Sequence, residues 1–543
     1  MADRHHAHHH RPTARYRRKG WRAVRASRRQ TVARRGRDRR AHLLAPQPGA
    51  ARADSARPPT TAVVGGGIAG LAAATALAER GVQVTLYERQ ASLGGRVAGW
   101  PTTLHDGTPA TMSRGFHAFF RQYYNLRGLL RRTDPALDRL TGLADYPLQH
   151  SGGLHDSFRN VPRTPPWSAI GFVAQSPTFT LRDLRLMNPL AALPLLDVRV
   201  PEIYEQLDGV SAHDFLQTIR FPEAAHHLAF EVFSRSFFAD PRQLSAAEMV
   251  LMFHIYFLGS SEGLLFDVPN EPFPEALWDP LSTYLQSHKV DIRLSTPVET
   301  IAPTKDGGFV ITTDEDQRHD TVVLALDTAG LQTIVSHSPA LADAPWRQRV
   351  AQLRTAPPFL VSRLWLDQPV AADRPGFLGT SGYGTLDNVS ILDRWESQAA
   401  HWAGRTGGSV VELHAYALTQ NTARDVEQKR LLAQLHTLYP ETRSATVVDE
   451  RHEWSTDCPL FPVGGYTDRP PTRTSLPGLV IAGDLVRTEL PVALMERAAT
   501  SGFMAANALL ERWHIRGQAL WTVPRQGRNA ALRALARTAK RAG

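Results

Sequence analysis

The pattern of apolar positions between residues 60 and 90 predicts a strand, a helix and a second strand. Residues 61–65 form a short β-branched run, residues 68–80 are rich in alanine and leucine, and residues 82–88 alternate between apolar and polar side chains. Alternation with a period of two is typical of a half-buried strand, whereas a longer apolar stretch favours a helix. These residues therefore predict one βαβ unit.

The turn between the first strand and the helix reads GGGIAG and contains a GxGxxG motif. We expect Gly65 to permit the tight turn, Gly67 to let the backbone approach a pyrophosphate, and Gly70 to let helix and strand pack closely. The first helical residues, Ile68 and Ala69, would present free N–H groups to the phosphates. With a strand before it and a helix after it, the motif predicts dinucleotide binding.

The end of the second strand extends this site. Glu88 ends the strand, where its carboxylate can accept hydrogen bonds from the adenosine ribose hydroxyls and would repel a 2′-phosphate. Arg89 follows directly and is placed in the same cofactor-binding set.

Two segments further along favour FAD over NAD. Gly94 and Gly95 allow a close approach to the cofactor, and Arg96 can reach a phosphate. Residues 291–301 have a strand pattern, and the backbone around Val298 could close over the adenine.

A third segment lies near the carboxyl end, where an apolar strand at 479–482 ends in Gly483 and Asp484. Asp484 would hydrogen-bond to a ribityl hydroxyl. A helix predicted from Val492 and Ala493 to about residue 513 could direct its N-terminus at the N1–C2 edge of the flavin, which gains negative charge on reduction.

Arg114 and Gly115 are the last predicted cofactor contacts, with Arg114 either binding an FAD phosphate or fixing a loop. There is no second GxGxxG motif between a strand and a helix. This argues against a flavoenzyme reduced by NAD(P)H. We expect the substrate to reduce the flavin, and oxygen or a quinone-like acceptor to reoxidise it.

The cofactor segments lie far apart in the chain, so the FAD-binding domain must be discontinuous. The predicted fold class is α/β plus α+β, with a Rossmann-like FAD-binding domain of the GR2 type and a substrate domain made of a mixed sheet and a helical cap. The predicted segments are 1–57 (disordered basic extension), 58–150, 286–345 and 476–515 (FAD-binding domain), 151–285 (helical cap), 346–475 (substrate-domain sheet, with strands at 360–366 and 409–418) and 516–543 (basic tail).

Aromatic side chains are dense between the cofactor segments. They recur at helical spacing within 221–238 and 249–258 and again just after residue 115. They form either a helical core or the lining of a tunnel for a long apolar substrate. The residues singled out are Phe119, Phe120, Tyr123, Tyr124, Phe230, Phe233, Phe237 and Phe238.

Ionisable residues in apolar settings are the candidates for proton transfer or for stabilising a transient cation. The alternative for each histidine is a buried neutral ring that donates to a carbonyl. No Ser–His–Asp order and no HExxH pattern supports hydrolysis, and the single cysteine, Cys458, excludes disulfides and multi-cysteine zinc sites, so no metal site is predicted. The candidates are His117, Arg235, His254, Glu262 and Asp267.

Positive charge is concentrated at the two ends. Residues 1–57 hold 17 of the 62 Lys and Arg residues but three of the 52 acidic residues, so the remainder is net acidic. We therefore expect no nucleic-acid partner. Residues 518–543 carry no acid and form either a basic amphipathic helix on anionic lipid or a frayed end.

Three runs, 113–127 (SRGFHAFFRQYYNLR), 221–241 and 252–269, resemble the actinobacterial isorenieratene synthase family. These are β-carotene desaturase/methylases within the superfamily of FAD-dependent carotenoid desaturases and flavin amine oxidases. The likeness spans about 58–515. The GxHxFFxxYxNL pattern at 115–126 also resembles plant-type ζ-carotene desaturases.

The resemblance implies an FAD-dependent oxidoreductase that acts on the β-ionone ring of β-carotene. A hydride passes from the ring to flavin N5, one of two geminal methyls migrates to the neighbouring carbon, and proton loss with further desaturation gives a trimethylphenyl end group. It also implies a cytoplasmic enzyme bound peripherally to a membrane. The alternatives are a desaturase of a linear carotene or squalene-like polyene, a flavin amine oxidase, or a flavoprotein without redox activity.

Overall fold

The computed structural model describes residues 37–228 and 238–542. In chain order the strands are β1 (His42–Leu44), β2 (Thr60–Val64), β3 (Gln83–Tyr87), β4 (Gly99–Thr103), β5 (Pro109–Ser113), β6 (Phe119–Phe120), β7 (Leu140–Gly142), β8 (Leu148–His150), β9 (His155–Asp156), β10 (Phe266–Pro269), β11 (Asp291–Arg293), β12 (Thr300–Pro303), β13 (Phe309–Thr312), β14 (Asp316–His319), β15 (Thr321–Leu324), β16 (Phe359–Leu366), β17 (Phe377–Ser381), β18 (Asn388–Ile391), β19 (Ser409–Ala415), β20 (Val447–Ser455), β21 (Leu479–Ile481) and β22 (Leu520–Thr522).

The α-helices are α1 (Ile68–Ala78), α2 (Tyr124–Leu130), α3 (Trp167–Gln175), α4 (Leu181–Leu186), α5 (Leu193–Leu196), α6 (Glu202–Leu207), α7 (Ala212–Thr218), α8 (Glu223–Leu228), α9 (Ala246–Phe253), α10 (Asp279–Ser287), α11 (Thr328–His337), α12 (Ala344–Gln352), α13 (Ser397–Thr406), α14 (Arg424–Leu438), α15 (Leu494–Arg512) and α16 (Ala530–Ala542). Short 3₁₀ or π turns lie at Gly95–Val97, His254–Leu258, Pro274–Trp278, Leu392–Arg394 and Pro440–Ser444.

A parallel five-stranded sheet forms the first layer, with the order β11-β3-β2-β15-β21. Its strands are short apolar runs because both faces are covered, as is usual for parallel sheets. Every residue of α1 is buried, and α15 crosses α1 closely at Gly502, where a Cβ would lie 2.2 Å from the carbonyl oxygen of Ala69. The sheet joins strands from early, middle and late parts of the chain, which confirms the discontinuous Rossmann-like fold.

The predicted strand at 291–301 is two strands in the structure. β11 pairs in parallel with β3, whereas β12 pairs with β13 in a separate antiparallel sheet of β12, β13 and β14. Between them Ser295 has a φ of 51°, and the Thr296 N–H donates to the carbonyl oxygen of Glu88 at 2.8 Å. The single strand was a wrong prediction because this local apolar pattern does not reveal the break.

The second layer is a mixed seven-stranded sheet with the order β20-β16-β19-β18-β17-β8-β9. β8 and β17 pair in parallel, and the other neighbours are antiparallel. Strands predicted at 360–366 and 409–418 are present as β16 and β19. Helices α3 to α9 lie between β9 and β10 in the chain and form the helical cap. The residue boundaries of the domain segments stay predictions.

The two ends of the described chain meet. β1 pairs antiparallel with β22, with Leu43 opposite Trp521, and Asp38 is buried. The disorder predicted for residues 1–57 is therefore wrong for residues 38–57, and residues 1–36 lie outside the described residues. The basic tail contains β22 and α16, so the helical alternative for its last residues is the one observed.

Among the residues that the structure describes, no helix combines the length and the apolar character that crossing a bilayer requires.

Candidate functional site

One large cavity of about 840 Å³ runs from the glycine-rich turn after β2 to the substrate-domain sheet. The glycine turn, the end of β3, the start of α15 and the segment after β21 line its first half. Aromatic side chains from β6, β10, β17 and the cap line its second half. Cofactor-binding and aromatic residues therefore share a single space.

The glycine-rich turn leaves room for a phosphate group at one position and packs tightly at the others. A Cβ at Gly67 would meet nothing nearer than Gly95 Cα at 3.8 Å, whereas a Cβ at Gly70 would lie 1.9 Å from the carbonyl oxygen of Gly65. Gly65 has a φ of 110°, which side-chain-bearing residues rarely adopt. The first turn of α1 has no side-chain cap and no acidic residue, so its N–H groups suit an anion.

Glu88 lies at the end of β3, as the sequence predicts, and its side chain also hydrogen-bonds to the glycine turn. Its Oε2 accepts a hydrogen bond from the Gly66 N–H at 2.7 Å, and its Oε1 accepts one from the Gln90 N–H at 2.8 Å. The side chain is buried and lines the cavity. Arg89, Val298 and Ala69 line the cavity as well, and Arg89 pairs with Asp327 at 3.2 Å.

Arg96 and Asp484 were predicted as separate cofactor contacts, and the structure brings them together at 2.5 Å on the cavity wall. Burial by itself would lower the pKa of Arg96, but the carboxylate of Asp484 outweighs it and the net shift is upward. Gly483, Gly94 and Gly95 flank the pair along the same wall.

Four residues predicted as cofactor contacts do not line this cavity. Gly70 is a packing position of α1, as described above. Gly115, with a φ of 81°, faces His414, where a Cβ would lie 2.4 Å from the ring. Val492 and Ala493 are buried just before α15, and it is Leu494 and Met495 that reach the cavity.

Arg114 lines the cavity but is held by acids. Its guanidinium pairs with Glu453 at 3.6 Å and with Asp457. Of the two roles predicted for Arg114, this geometry matches the fixing of a loop.

The other half of the cavity is walled by rings from several elements. Phe116 stacks on Phe377 at 4.1 Å between ring centroids, and Phe377 stacks on Tyr146 at 4.8 Å. Phe120 packs against Tyr256 at 4.6 Å. Such a wall suits a long apolar ligand.

Comparison with known proteins agrees with this geometry. The family model described as flavin containing amine oxidoreductase matches residues 68–510. The chain belongs to this family. It is an FAD-dependent oxidoreductase, and the glycine turn, Glu88, Arg96 and Asp484 are the groups that fit the cofactor.

Two relatives of this flavoenzyme share one name. Carotenoid phi-ring synthase of Streptomyces griseus is 69% identical over 504 residues, covering 93% of this chain and 97% of the relative. Carotenoid phi-ring synthase of Chlorobaculum tepidum is 27% identical over 597 residues, covering 87% and 91%. Among solved structures, a putrescine oxidase double mutant matches with a TM-score of 0.61 at 18% identity, covering 83% of this chain and all of that one, which shows the fold alone.

Of the catalytic candidates that the structure describes, His117 alone lines the cavity of the flavoenzyme. Its Nδ1 lies 2.9 Å from the carbonyl oxygen of Gly115. Because a carbonyl only accepts, Nδ1 must donate, and Nε2 of the neutral ring is left as an acceptor. Burial lowers the pKa of His117 to about 4, which keeps the ring neutral at physiological pH.

The structure does not bring the other described candidates to the cavity. His254 is fully buried, and its Nε2 pairs with the carbonyl oxygen of Pro524 at 2.8 Å. Glu262 accepts from the Asp38 N–H at 2.8 Å, and burial raises its pKa. Asp267 on β10 pairs with two arginines of the chain after β6. All three side chains are therefore engaged within the fold, outside the cavity lining.

Sequence reasoning missed several residues of the aromatic wall. Tyr146 and Phe158 precede the cap, while Phe377 and Tyr416 belong to the substrate-domain sheet or its edge. The only sequence feature that could have indicated these residues was the strand pattern of that sheet. Among the predicted aromatics, Phe120, Tyr123 and Phe238 line the cavity, whereas Phe119 and Tyr124 are buried outside it. Phe230, Phe233, Phe237 and Arg235 lie outside the described residues.

Proposed function

We propose that this flavoenzyme modifies a carotenoid: it desaturates the β-ionone ring of β-carotene and moves one methyl group, giving an aromatic, isorenieratene-type end group. The relative with 69% identity is named for a carotenoid ring, and it aligns over nearly its full length. The observation that carries the proposal is the aromatic wall that continues directly from the cofactor-binding residues. A ring held there would lie beside the redox centre.

The fitted residues would hold FAD by complementary chemistry. The uncapped N-terminus of α1 suits the pyrophosphate, Glu88 the ribose, and the Arg96–Asp484 pair the polar chain near the flavin. When bound, FAD supplies a two-electron hydride acceptor, which oxygen or a quinone-like acceptor regenerates.

The chemistry of the ring assigns the remaining tasks to the protein. Loss of a hydride leaves a ring cation, and the carbon that bears two methyls cannot become aromatic until one methyl migrates to its neighbour. Each ring loses two hydrides and two protons in total, with the electrons passing to the acceptor. Migration is intramolecular, so no methyl donor is needed.

The cavity wall matches these tasks. The stacked rings of Phe116, Phe377 and Tyr146 form an apolar wall that can keep water from capturing the cation. We assign His117 Nε2 as the proton acceptor because it is the unprotonated ring nitrogen at the wall. A substrate this apolar resides in lipid, and we therefore propose that the enzyme works as a peripheral protein at a bilayer surface.

The test is to express the full chain in a β-carotene-producing bacterium and to analyse pigments by liquid chromatography with mass detection. We expect products that have lost hydrogen and have aromatic-ring spectra. A His117→Gln variant with normal flavin content is the matched control and should leave β-carotene unchanged. Unchanged β-carotene beside flavin-loaded wild-type protein would contradict the proposal. Conversion in a strain that accumulates linear carotenes would then favour a polyene desaturase.

A further inference from the structure

Large exposed apolar side chains are concentrated in one short part of the cap. Among the described residues, eleven such side chains are exposed, and five of them fall between residues 167 and 190. Scattered single apolar residues are normal on a protein surface, whereas a cluster marks a place of contact. The five are Trp167 (60% exposed), Ile170 (52%), Leu184 (37%), Leu186 (55%) and Leu190 (56%). We name them the α3–α4 face.

Helix α3 is apolar on both sides. Its sequence, WSAIGFVAQ, contains no charged residue. Trp167 and Ile170 share the exposed side at a spacing of three, while Ser168 and Phe172 share the buried side at a spacing of four. A surface helix of a protein that meets only water normally carries polar residues on its outer side. The outer side of α3 thus has the apolar composition that is typical of a surface in contact with another molecule.

The inner side of α3 adjoins the substrate half of the cavity. Phe172 stacks on Phe158 with centroids 4.7 Å apart and planes at 9°, and Phe158 lines the cavity. Phe179, just before α4, meets the edge of Phe172 at 6.3 Å, so α3 and α4 adjoin. The thickness of one helix therefore separates the α3–α4 face from the cavity.

Basic side chains lie close to this face in the chain. Residues 157–190 contain four arginines, all exposed, and a single acid. That acid, Asp183, is engaged in a capping box with Thr180 at the start of α4. The exposed Leu535 (59%) lies on the basic helix α16, where Arg537 pairs with Asp197 at 3.2 Å, just after α5. Apolar residues with a tryptophan and a cationic rim suit an anionic lipid surface.

We propose that the α3–α4 face docks on an anionic bilayer, and that the lipid-borne substrate passes beside α3, along Phe172 and Phe158, into the cavity. The identity of that substrate rests on the proposed function, whereas the docking itself is tested without turnover. Docking of a protein partner or a second copy does not require a cavity directly behind the docking surface. Transfer of a substrate from lipid into the enzyme does require one, so the position of the cavity favours a bilayer.

The experiment is vesicle flotation of the purified, FAD-loaded full chain. Vesicles of phosphatidylcholine alone are compared with vesicles that contain phosphatidylglycerol. We expect wild type to float with the anionic vesicles, and a Trp167→Ser/Ile170→Ser/Leu186→Ser variant to lose at least about ten-fold in bound fraction. The matched control is Val426→Ser/Val448→Ser, which changes side chains of comparable exposure, 49% and 43%, in the substrate domain and should bind like wild type.

A charge variant separates the basic rim from the apolar face. Arg182→Glu/Arg185→Glu should remove most of the preference for anionic vesicles. Equal flotation of wild type and the triple variant would overturn the proposal, as would the absence of wild-type flotation. Light scattering that shows a wild-type dimer and a monomeric triple variant would assign the face to self-association instead.

Turnover distinguishes this inference from the proposed function. The triple variant should convert β-carotene delivered in detergent micelles at the wild-type rate, but convert β-carotene embedded in vesicles several-fold more slowly. If wild type converts neither preparation, the proposed function fails while the flotation result still stands. If the variant is equally slow with both, the face acts on folding or catalysis and the docking proposal is wrong.

Discussion

The guanidinium of Arg96 lies 2.5 Å from a carboxylate oxygen of Asp484, although 388 positions of the chain separate the two residues. Both belong to motifs that the sequence assigns to the cofactor, one after β3 and one after β21. The ion pair therefore joins the first and last parts of the FAD-binding domain at the cavity wall. It fixes both side chains before the cofactor arrives, which reduces the ordering cost of binding.

Breaking the Arg96–Asp484 pair should lower both the stability of the protein and its flavin content. For Asp484→Ala we expect destabilisation on the order of 2 kcal/mol, because removing one partner of this partly buried ion pair leaves the other charge uncompensated. The flavin absorbance of the purified protein should fall strongly. Arg318→Ala is the matched control, since its ion pair with Asp306 is exposed and should contribute little to stability. Equal denaturant midpoints for the two variants would contradict the assignment.

Substitution of two glycines of the same motif should cause two different defects, one in FAD binding and one in folding. Gly67→Ala places a methyl group in open space at the phosphate end, so the protein should fold but bind FAD weakly. Gly70→Ala would bring its methyl group within 1.9 Å of the Gly65 carbonyl oxygen, so the expected defect is in folding. Circular dichroism and flavin content, measured together, separate the two results. A colourless and unfolded Gly67→Ala protein would mean that the turn has no free space.

His117→Gln should retain FAD and the fold but lose turnover by roughly 10²- to 10⁴-fold, the usual contribution of a general base. The change keeps a group that can donate to the Gly115 carbonyl oxygen while removing the basic nitrogen. Formation of the aromatic product per enzyme, followed by liquid chromatography, is the measurement, because the proton leaves after the hydride. The His254→Gln variant is the comparison, because His254 lies outside the cavity and should leave turnover nearly intact.

Lowering the pH should destabilise the fold, because the buried ring of His254 resists protonation. Burial lowers the pKa of His254 from 6.5 to about 4, so the ring is neutral when folded while the unfolded chain binds a proton below pH 6.5. This contribution to stability is present above pH 6.5 and is lost as the pH falls towards 4. The melting temperature should therefore decline over that window, and less steeply in His254→Gln. An equally steep decline in His254→Gln would contradict this assignment.

Removing residues up to 57 should weaken the fold. The backbone N–H of Asp38 donates to Glu262. The carboxylate of Asp38 accepts from the Ser261 N–H at 2.6 Å and pairs with Arg528 at 2.5 Å. A chain that begins at Pro58 loses these contacts and β1, so we expect about 3 kcal/mol less stability than in a chain that begins at Arg37. Chemical denaturation of the two chains is the check. Identical midpoints would show that the β1–β22 pairing contributes nothing.

The sequence predicts the βαβ unit and Glu88 because both depend on local patterns: strand alternation, glycine spacing and the acid at the strand end. It does not place Phe377 and Tyr146 in the aromatic wall, because these two residues meet through the parallel pairing of β17 with the chain around β8. For the same reason the sequence does not reveal the ion-pair partners of Asp267. Its apolar neighbours on β10 are local, whereas Arg121 and Arg127, which neutralise it, are brought in by the fold.

The five-stranded sheet has a consequence for how the enzyme is made. Its edge strand β21 is the last of the five to leave the ribosome, and Asp484 and Leu494 at the cavity follow it. The nascent chain therefore displays the glycine turn long before the opposite wall exists. We therefore expect the complete cofactor site to form only after the residues that follow β21 have been synthesised.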